Sequence, residues 1–395
     1  MKRSDTSACM LPILPTPRIL HVVSSIDYGG IEIWLLHLLR HIDRRRFPID
    51  VLVLNDRRGP LECEMRSLGC RVFYCSNHRK PWVLWRYMTQ VLRRYGPYDI
   101  VHSHVHLFGG ALMRIAAEHG VPIRVVHSRG DTRAVEGSPR PLRRLYTRTM
   151  RRWINAYATC LIAISAPAAE DLFGSGWRRD GRCSIIYSGR DFSGFVQPAD
   201  PGEVRRSLGL PTDALIIGHV GRFLEAKNHA LIVEVAAEVF RQEPSARLLL
   251  VGDGDGEAKV RAHVHALGIA DRVVFAGASD QVPWLLSHAM DAFLFPSHHE
   301  GLGVAVVEAQ AAGLPCIIAD HLPGDIDVLP RLIQRVPLSA PPAAWASAVL
   351  GALDAPRVDA AEALAAVLAT DFNIEHSVGK IVQIYERERD GLGRG

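Results

Sequence analysis

The sequence predicts an α/β protein made of two doubly wound, parallel-sheet (Rossmann-like) domains that face a central cleft. Three observations carry this. Short β-branched runs alternate with longer segments of helical periodicity along nearly the whole chain, the pattern of parallel strands joined by crossover helices. At 395 residues the chain exceeds what one core usually spans. Glycine and proline cluster in GRDFSGFVQPADPGE, residues 189 to 203, between two sets of such runs.

The elements follow in order. Residues 1–17 have basic residues at their start and a short apolar run broken by Pro12, Pro15 and Pro17, which predicts a flexible tail and neither a signal peptide nor an anchor. The first domain, 18–192, carries the candidate strands RILHVVSS (18–25), IDVLVLN (49–55), RVFYCS (71–76), DIVHSH (99–104), IRVVHS (123–128), CLIAIS (160–165) and SIIYSG (184–189). The second, 193–371, carries LIIGHVG (215–221), ARLLLVG (246–252), RVVFAG (272–277), AFLFPS (292–297) and PCIIAD (315–320). Ile374, Val378, Ile381, Val382 and Ile384 then recur at near-helical spacing, so 372–390 is expected to form an amphipathic helix that packs back on the first domain. Ligands of such proteins sit at the carboxyl ends of the strands, so the residues just after strands are the ones to weigh.

Composition narrows the class. With 48% hydrophobic and 22% charged residues the chain reads as globular, and a net charge of +4 is too small to imply nucleic-acid binding. Seven scattered cysteines without a C-x-x-C pair argue for a reducing, cytoplasmic setting, with no disulfide framework and no zinc site.

Two segments of the second half carry anion and hydroxyl chemistry. In GHVGRFLEAKNHA, Arg222 leaves a strand end and Lys227 stands at the start of a helix, where unpaired N–H groups and the helix dipole already favour anions. A guanidinium and an ammonium there make a diphosphate clamp; a solvated arginine and a lysine paired with Glu225 is the bland alternative. In PSHHEGLGVAVVEAQ, Glu300 precedes Gly301, Leu302 and Gly303, whose backbone N–H groups open a helix, and Glu308 lies about two turns into it. Paired carboxylate acceptors suit vicinal hydroxyls, Glu308 for a ribose and Glu300 for a hexose. Asp253 and Asp255 form a D-x-D that could hold a divalent metal, but helix capping is the favoured role and the site is expected to work without metal.

Together, EGLGVAVVEAQAAGLP, GHVGRFLEAKNH and LLLVGDG resemble the retaining glycosyltransferases of family 4, which have the GT-B fold; HVVSSIDYGGIE and YDIVHSHVHLFGG resemble its exopolysaccharide-biosynthesis branch. The resemblance implies a donor nucleotide-diphosphate sugar, UDP-linked, and a saccharide acceptor, lipid-linked, with no cofactor. It implies that Arg222 and Lys227 bind the donor diphosphate, that Glu308 holds the ribose, and that Glu300 with the amides of Gly301 to Gly303 holds the transferred sugar. Gly29 and Gly30 would approach the donor phosphates and the acceptor, and His127 would lie against the donor sugar, making His127 and Glu300 the catalytic pair. A sugar-nucleotide 2-epimerase of similar build, or an inactive nucleotide-sugar-binding partner protein, are the competing functions. Ser188 and Arg190 depart from the family's Asn-Gly-Ile-Asp hinge, and Gly303 stands where proline is expected.

Two further patterns stand outside that set. His102, His104 and His106 alternate as zinc ligands might on a strand, but a packed His102 and a cleft-facing, acceptor-side His104 are the expectation. RPLRRLYTRTMRR, residues 140–152, interleaves six arginines with apolar residues, which predicts a helix lying on an anionic surface at the inner face of the cell membrane; a solvated charged face over a packed stripe is the alternative.

Overall fold

The computed structural model describes residues 16–130, 141–354 and 358–392. Both predicted sheets are present, with every strand pairing parallel. The first holds seven strands, β1 (Ile19–Val23), β2 (Ile49–Val53), β3 (Val72–Tyr74), β4 (Ile100–Ser103), β5 (Ile123–Ser128), β6 (Cys160–Ala163) and β7 (Cys183–Ile185), in the order β3-β2-β1-β4-β5-β6-β7. The second holds six, β8 (Ile216–Val220), β9 (Arg247–Val251), β10 (Val273–Gly277), β11 (Ala292–Phe295), β12 (Cys316–Ala319) and β13 (Ile333–Val336), in the order β10-β9-β8-β11-β12-β13. The order reverses beside β1 in one sheet and beside β8 in the other. Connections leave those points in opposite directions and open a crevice at the strand ends. The edge strand β13 is one the sequence analysis did not anticipate.

Period-two alternation sorts the first domain into layers. Ile19 and Val23 face a cluster with Trp34, Leu35 and Leu39, while Leu20 and Val22 face the opposite cluster with Leu84, Met88, Met113 and Ile154. The terminal helix Ile374–Leu392 joins the first cluster through Ile374, Val378, Ile381 and Tyr385. Burying aliphatic side chains of this size contributes about 1.5–3 kcal/mol each, enough to hold the helix on the first domain.

The chain therefore crosses between the domains twice, and the crossings lie side by side. Arg190 N donates to Phe372 O at 2.7 Å and Ile374 N donates to Arg190 O at 2.9 Å. Gly189 permits this approach, since a Cβ there would sit 2.6 Å from the Ser377 Cβ.

Candidate functional site

The carboxyl ends of strands in both sheets line the cleft, which encloses about 620 Å³ between the domains. After β1, Gly29 and Gly30 open the helix Gly30–His41. A Cβ on Gly29 would lie 2.3 Å from Glu32 Oε2, so only glycine lets that carboxylate fold back over the loop. Glu32 accepts from Ser25 Oγ at 3.0 Å. Burial pushes its carboxyl up, against the helix backbone, the Ser25 hydroxyl and the charge of Arg222 across the cleft.

After β8, the chain passes Gly221 and Arg222 and makes a turn, Glu225–Lys227, before the helix His229–Gln242. Gly252, at φ +142°, would put a Cβ 2.1 Å from Gly221 O, so glycine there allows the loops after β8 and β9 to touch. Lys227 pairs with Glu300 rather than Glu225: its Nζ lies 2.5 Å from Glu300 Oε1 and 4.9 Å from the Phe295 ring centre.

After β11 come Glu300, Gly301, Leu302 and Gly303, then the helix Val304–Ala311. Gly303 has φ +86°, a value the proline ring forbids, so the turn itself calls for glycine where the resembled family often has proline. Glu308 Oε1 lies 3.3 Å from Arg190 Nε. Burial pushes the Glu308 carboxyl up and Arg190 opposes the shift. The domains meet at Gly301, whose carbonyl accepts from Ser165 Oγ at 2.9 Å and whose missing side chain leaves room for the Arg129 carbonyl.

Gly29, Gly30, Arg222, Lys227, Glu300, Gly301, Leu302, Gly303 and Glu308 all line this one cleft. His127 and His104 do not. His127 is fully buried and His104 nearly so, and both belong to a hydrogen-bonded chain behind the cleft wall. β5 packs the His127 ring edge-on against Trp34, 5.5 Å away between ring centres, and its buried Nε2 has no hydrogen-bond partner. The cleft wall at this point is Arg129, two residues later, and His104 touches it only by accepting from Arg129 Nε at 3.1 Å.

That chain fixes its own protons. With His104 Nδ1 accepting from Arg129, its Nε2–H donates to His21 Nδ1 at 2.9 Å. His21 Nε2–H then donates to the Tyr385 hydroxyl at 3.3 Å, which donates to His102 Nδ1 at 2.6 Å, and His102 Nε2–H donates to His127 Nδ1 at 3.1 Å. Every ring is neutral and in one tautomer, assigned from this network. His106 lies apart, 3.1 Å from Asp171, so the alternating trio weighed for zinc is not assembled; His21 stands with His102 and His104 instead, their ligand atoms within 4.8 Å of one another.

Other expectations need correction. The helix Glu257–Ala266 starts from Gly256 without a side-chain cap, so neither Asp253 nor Asp255 caps it; Asp253 lines the cleft. Ser188 and Arg190 do not loosen the hinge, since Ser188 Oγ accepts from Arg129 Nη1 at 3.2 Å and Arg190 holds Glu308. Arg140 lies outside the described residues, while the helix Pro141–Tyr157 buries Met150 and Ile154 and leaves Leu142 and Leu145 82% and 63% exposed.

Arg129 and Arg190 are among the cleft residues that sequence reasoning did not place there. The signal available for His21 was its position in an apolar strand, in register with His102.

Two parallel-sheet domains facing a cleft lined by the ends of their strands have the GT-B architecture of glycosyltransferases. The comparisons agree: residues 201–347 match the profile for glycosyl transferases group 1 and residues 29–189 that for the glycosyl transferase 4-like domain, and the chain belongs to this family. It is 32% identical over 373 residues to "Putative glycosyltransferase EpsF" of Bacillus subtilis (strain 168), covering 93% of this chain and 96% of that protein. It is 31% identical over 285 residues to D-inositol 3-phosphate glycosyltransferase 2 of Catenulispora acidiphila, covering 68% of this chain and 65% of that one. Among solved structures, Anabaena Alr3699/HepE in complex with UDP and glucose superposes with a TM-score of 0.73 at 19% identity, over 96% of this chain and 100% of that one. Sucrose-phosphate synthase from Thermosynechococcus elongatus does so at 0.71 and 20%, over 95% and 100%.

Proposed function

We propose that the protein moves a hexose or N-acetylhexosamine from a UDP-sugar, with retention of anomeric configuration, onto a lipid-linked saccharide acceptor in exopolysaccharide or other cell-surface glycan synthesis. The observation that carries this is the convergence on one cleft of Arg222 and Lys227, for a diphosphate, with Glu300 and Glu308, for two sets of hydroxyls. HepE binds UDP and glucose, and EpsF supplies the likeness in family branch. With two fixed cations at the diphosphate, the leaving group's charge is met by side chains, and the reaction needs neither a divalent metal nor a cofactor. The acceptor hydroxyl attacks from the face the diphosphate leaves, and its proton passes to the departing phosphate oxygen. Glu300 holds the transferred sugar against that face and Glu308 anchors the ribose.

Melting the protein with UDP, GDP and ADP in the presence of a chelator tests this. UDP should stabilise selectively, by about 2.7 kcal/mol at a concentration near 100 times its dissociation constant. Lys227→Ala should weaken UDP by about 2 kcal/mol, roughly thirtyfold, because a charge-assisted contact is lost. No stabilisation by any of the three nucleotides would sink the proposal.

The setting proposed is the cytoplasmic side of the cell membrane. None of the described helices is long and apolar enough to cross a bilayer. Leu142 and Leu145 on the helix Pro141–Tyr157, and Trp82 and Trp85 on the helix Pro81–Tyr95, are exposed beside arginines. Both helices follow strands of the first sheet and start at its carboxyl end, where a lipid-borne acceptor would enter. The protein should float with anionic liposomes in low salt and Leu142→Glu/Leu145→Glu should remain at the bottom of the gradient; equal flotation of the two would exclude this surface.

A further inference from the structure

We propose that Arg129 and Arg190, both from the first domain, form the second half of a diphosphate clamp that Arg222 and Lys227 begin from the other side of the cleft. The pair takes this role only if the donor is a nucleoside diphosphate sugar, as proposed above.

Each guanidinium is held in place by some of its N–H groups and has another left over. Arg129 uses Nε on His104 and Nη1 on Ser188, and lies 3.7 Å over the Trp34 ring, while its buried Nη2 has no partner. Arg190 uses Nε on Glu308, while its buried Nη1 has no partner. Both residues line the cleft. A buried N–H without an acceptor is costly, and buried polar groups are almost always paired, so two such groups on neighbouring cations point to an absent anion.

The electrostatics agree. Burial and the nearby charge of Arg190 disfavour the charge on Arg129, with Glu32 and Tyr385 opposing them. An anion between the two arginines removes both their repulsion and the unmet donors. The backbone adds to the same spot: Arg190 Nη2 stands 3.8 Å from where a Gly30 Cβ would be, at the N-terminus of the helix Gly30–His41, whose dipole also favours an anion. Arg222 is near enough across the cleft to act on the Glu32 carboxyl. A ligand gripped by all four cations needs oxygens on two linked phosphates, and guanidinium forks match phosphate geometry.

The consequence for transfer is direct. As the bond between the sugar C1 and the β-phosphate oxygen breaks, its electron pair stays on that oxygen; the acceptor oxygen bonds to C1 and its proton passes to the phosphate. Guanidiniums already fixed at the diphosphate stabilise the charge as it grows. Arg190 also sits where the chain crosses between the domains, so closure of the cleft on a donor is coupled to its placement.

Titrating the full chain with inorganic pyrophosphate and with uridine, in chelator and at fixed ionic strength, tests the pair. Arg129→Gln should weaken pyrophosphate by about tenfold or more and leave uridine affinity unchanged; Arg190→Gln, which also unpairs Glu308, should weaken pyrophosphate at least as much and by more than it weakens uridine, and Arg190→Lys should recover part of the loss. Equal pyrophosphate affinity in parent and both variants, with Lys227→Ala defective, overturns the second half of the clamp and leaves the proposed donor site standing. Equal losses of pyrophosphate and uridine overturn it too, as the mark of a merely structural role. Failure of the parent itself to bind UDP or pyrophosphate rejects the donor reading. Melting temperatures without ligand verify folding, and should Arg129→Gln fail to fold, the Arg190 variants decide alone.

Discussion

Lowering the pH from about 7 to about 5 is expected to unfold the first domain. His21, His102, His104 and His127 are all buried behind the cleft. Burial, with the charge of Arg129 and the neighbouring rings, holds each of them below the ordinary histidine value of 6.5, His21 down to about 3. In the unfolded chain the same rings take up protons at their ordinary value, so the unfolded state binds more protons as the pH falls. The stability these rings contribute is therefore full above about 6.5 and is lost from there toward about 3. At a pH about 1.5 below the ordinary value each neutral ring has forfeited about 2 kcal/mol, and the set of rings approaches the roughly 5–15 kcal/mol that a domain has to lose. The proton order along the chain makes relief difficult, since an added proton on His104, His21 or His127 sets two donors against each other. His219 and His229, buried in the second domain and likewise lowered, His229 to about 4, act in the same direction. Circular dichroism melts across this range measure it. A melting temperature at pH near 5 within a few degrees of that near 7 would show that the network tolerates charge.

Most of the architecture was legible because it follows from patterns the backbone imposes. Buried parallel strands are continuous apolar runs, and the residues after them, Arg222, Lys227 and Glu300, lie in the cleft because the strand order reverses beside β1 and β8. The edge strand β13 escaped because IQRV sets Gln334 and Arg335 side by side between its apolar ends and is only four residues long, with neither an alternation nor an apolar run to mark it. His127 stands behind the cleft wall for a subtler reason. Alternation puts His127 and Arg129 on one face, and both lie beside Trp34, but it does not say which of them stands past the end of β5 at Ser128. His127 lies within the strand and is covered, while Arg129 follows it and lines the cleft. Arg190 stood out in the sequence only as a departure from a hinge motif; its partner Glu308 is distant in sequence and comes beside it only when the two crossings of the chain are laid together. The terminal helix was legible as a helix, but the buried hydroxyl by which Tyr385 closes the histidine chain depends on a contact no local pattern announces.

Glu300→Gln is expected to separate donor binding from transfer, lowering kcat by about a hundredfold or more while free nucleotide binds at least as tightly as before. The loss follows from replacing a carboxylate with a neutral amide at the sugar: hydrogen bonds to a charged acceptor are about twice as strong as neutral ones, and the positive charge that develops at C1 loses its nearest anion. The gain in binding follows from the geometry of the empty cleft. Lys227 Nζ lies 2.5 Å from Glu300 Oε1, with both side chains largely buried, so a diphosphate must draw the ammonium away from the carboxylate. Removing that competitor frees Lys227 for phosphate, and the nucleotide no longer works against an ion pair. Lys227→Ala acts in the opposite sense, weakening nucleotide directly and leaving Glu300 without its cation. Calorimetric titration with UDP alongside single-turnover transfer from the UDP-sugar distinguishes the two roles. If Glu300→Gln weakens UDP as Lys227→Ala does, Glu300 belongs to the nucleotide site and not to the sugar; if it transfers at the parent's rate, the carboxylate is a partner of Lys227 alone.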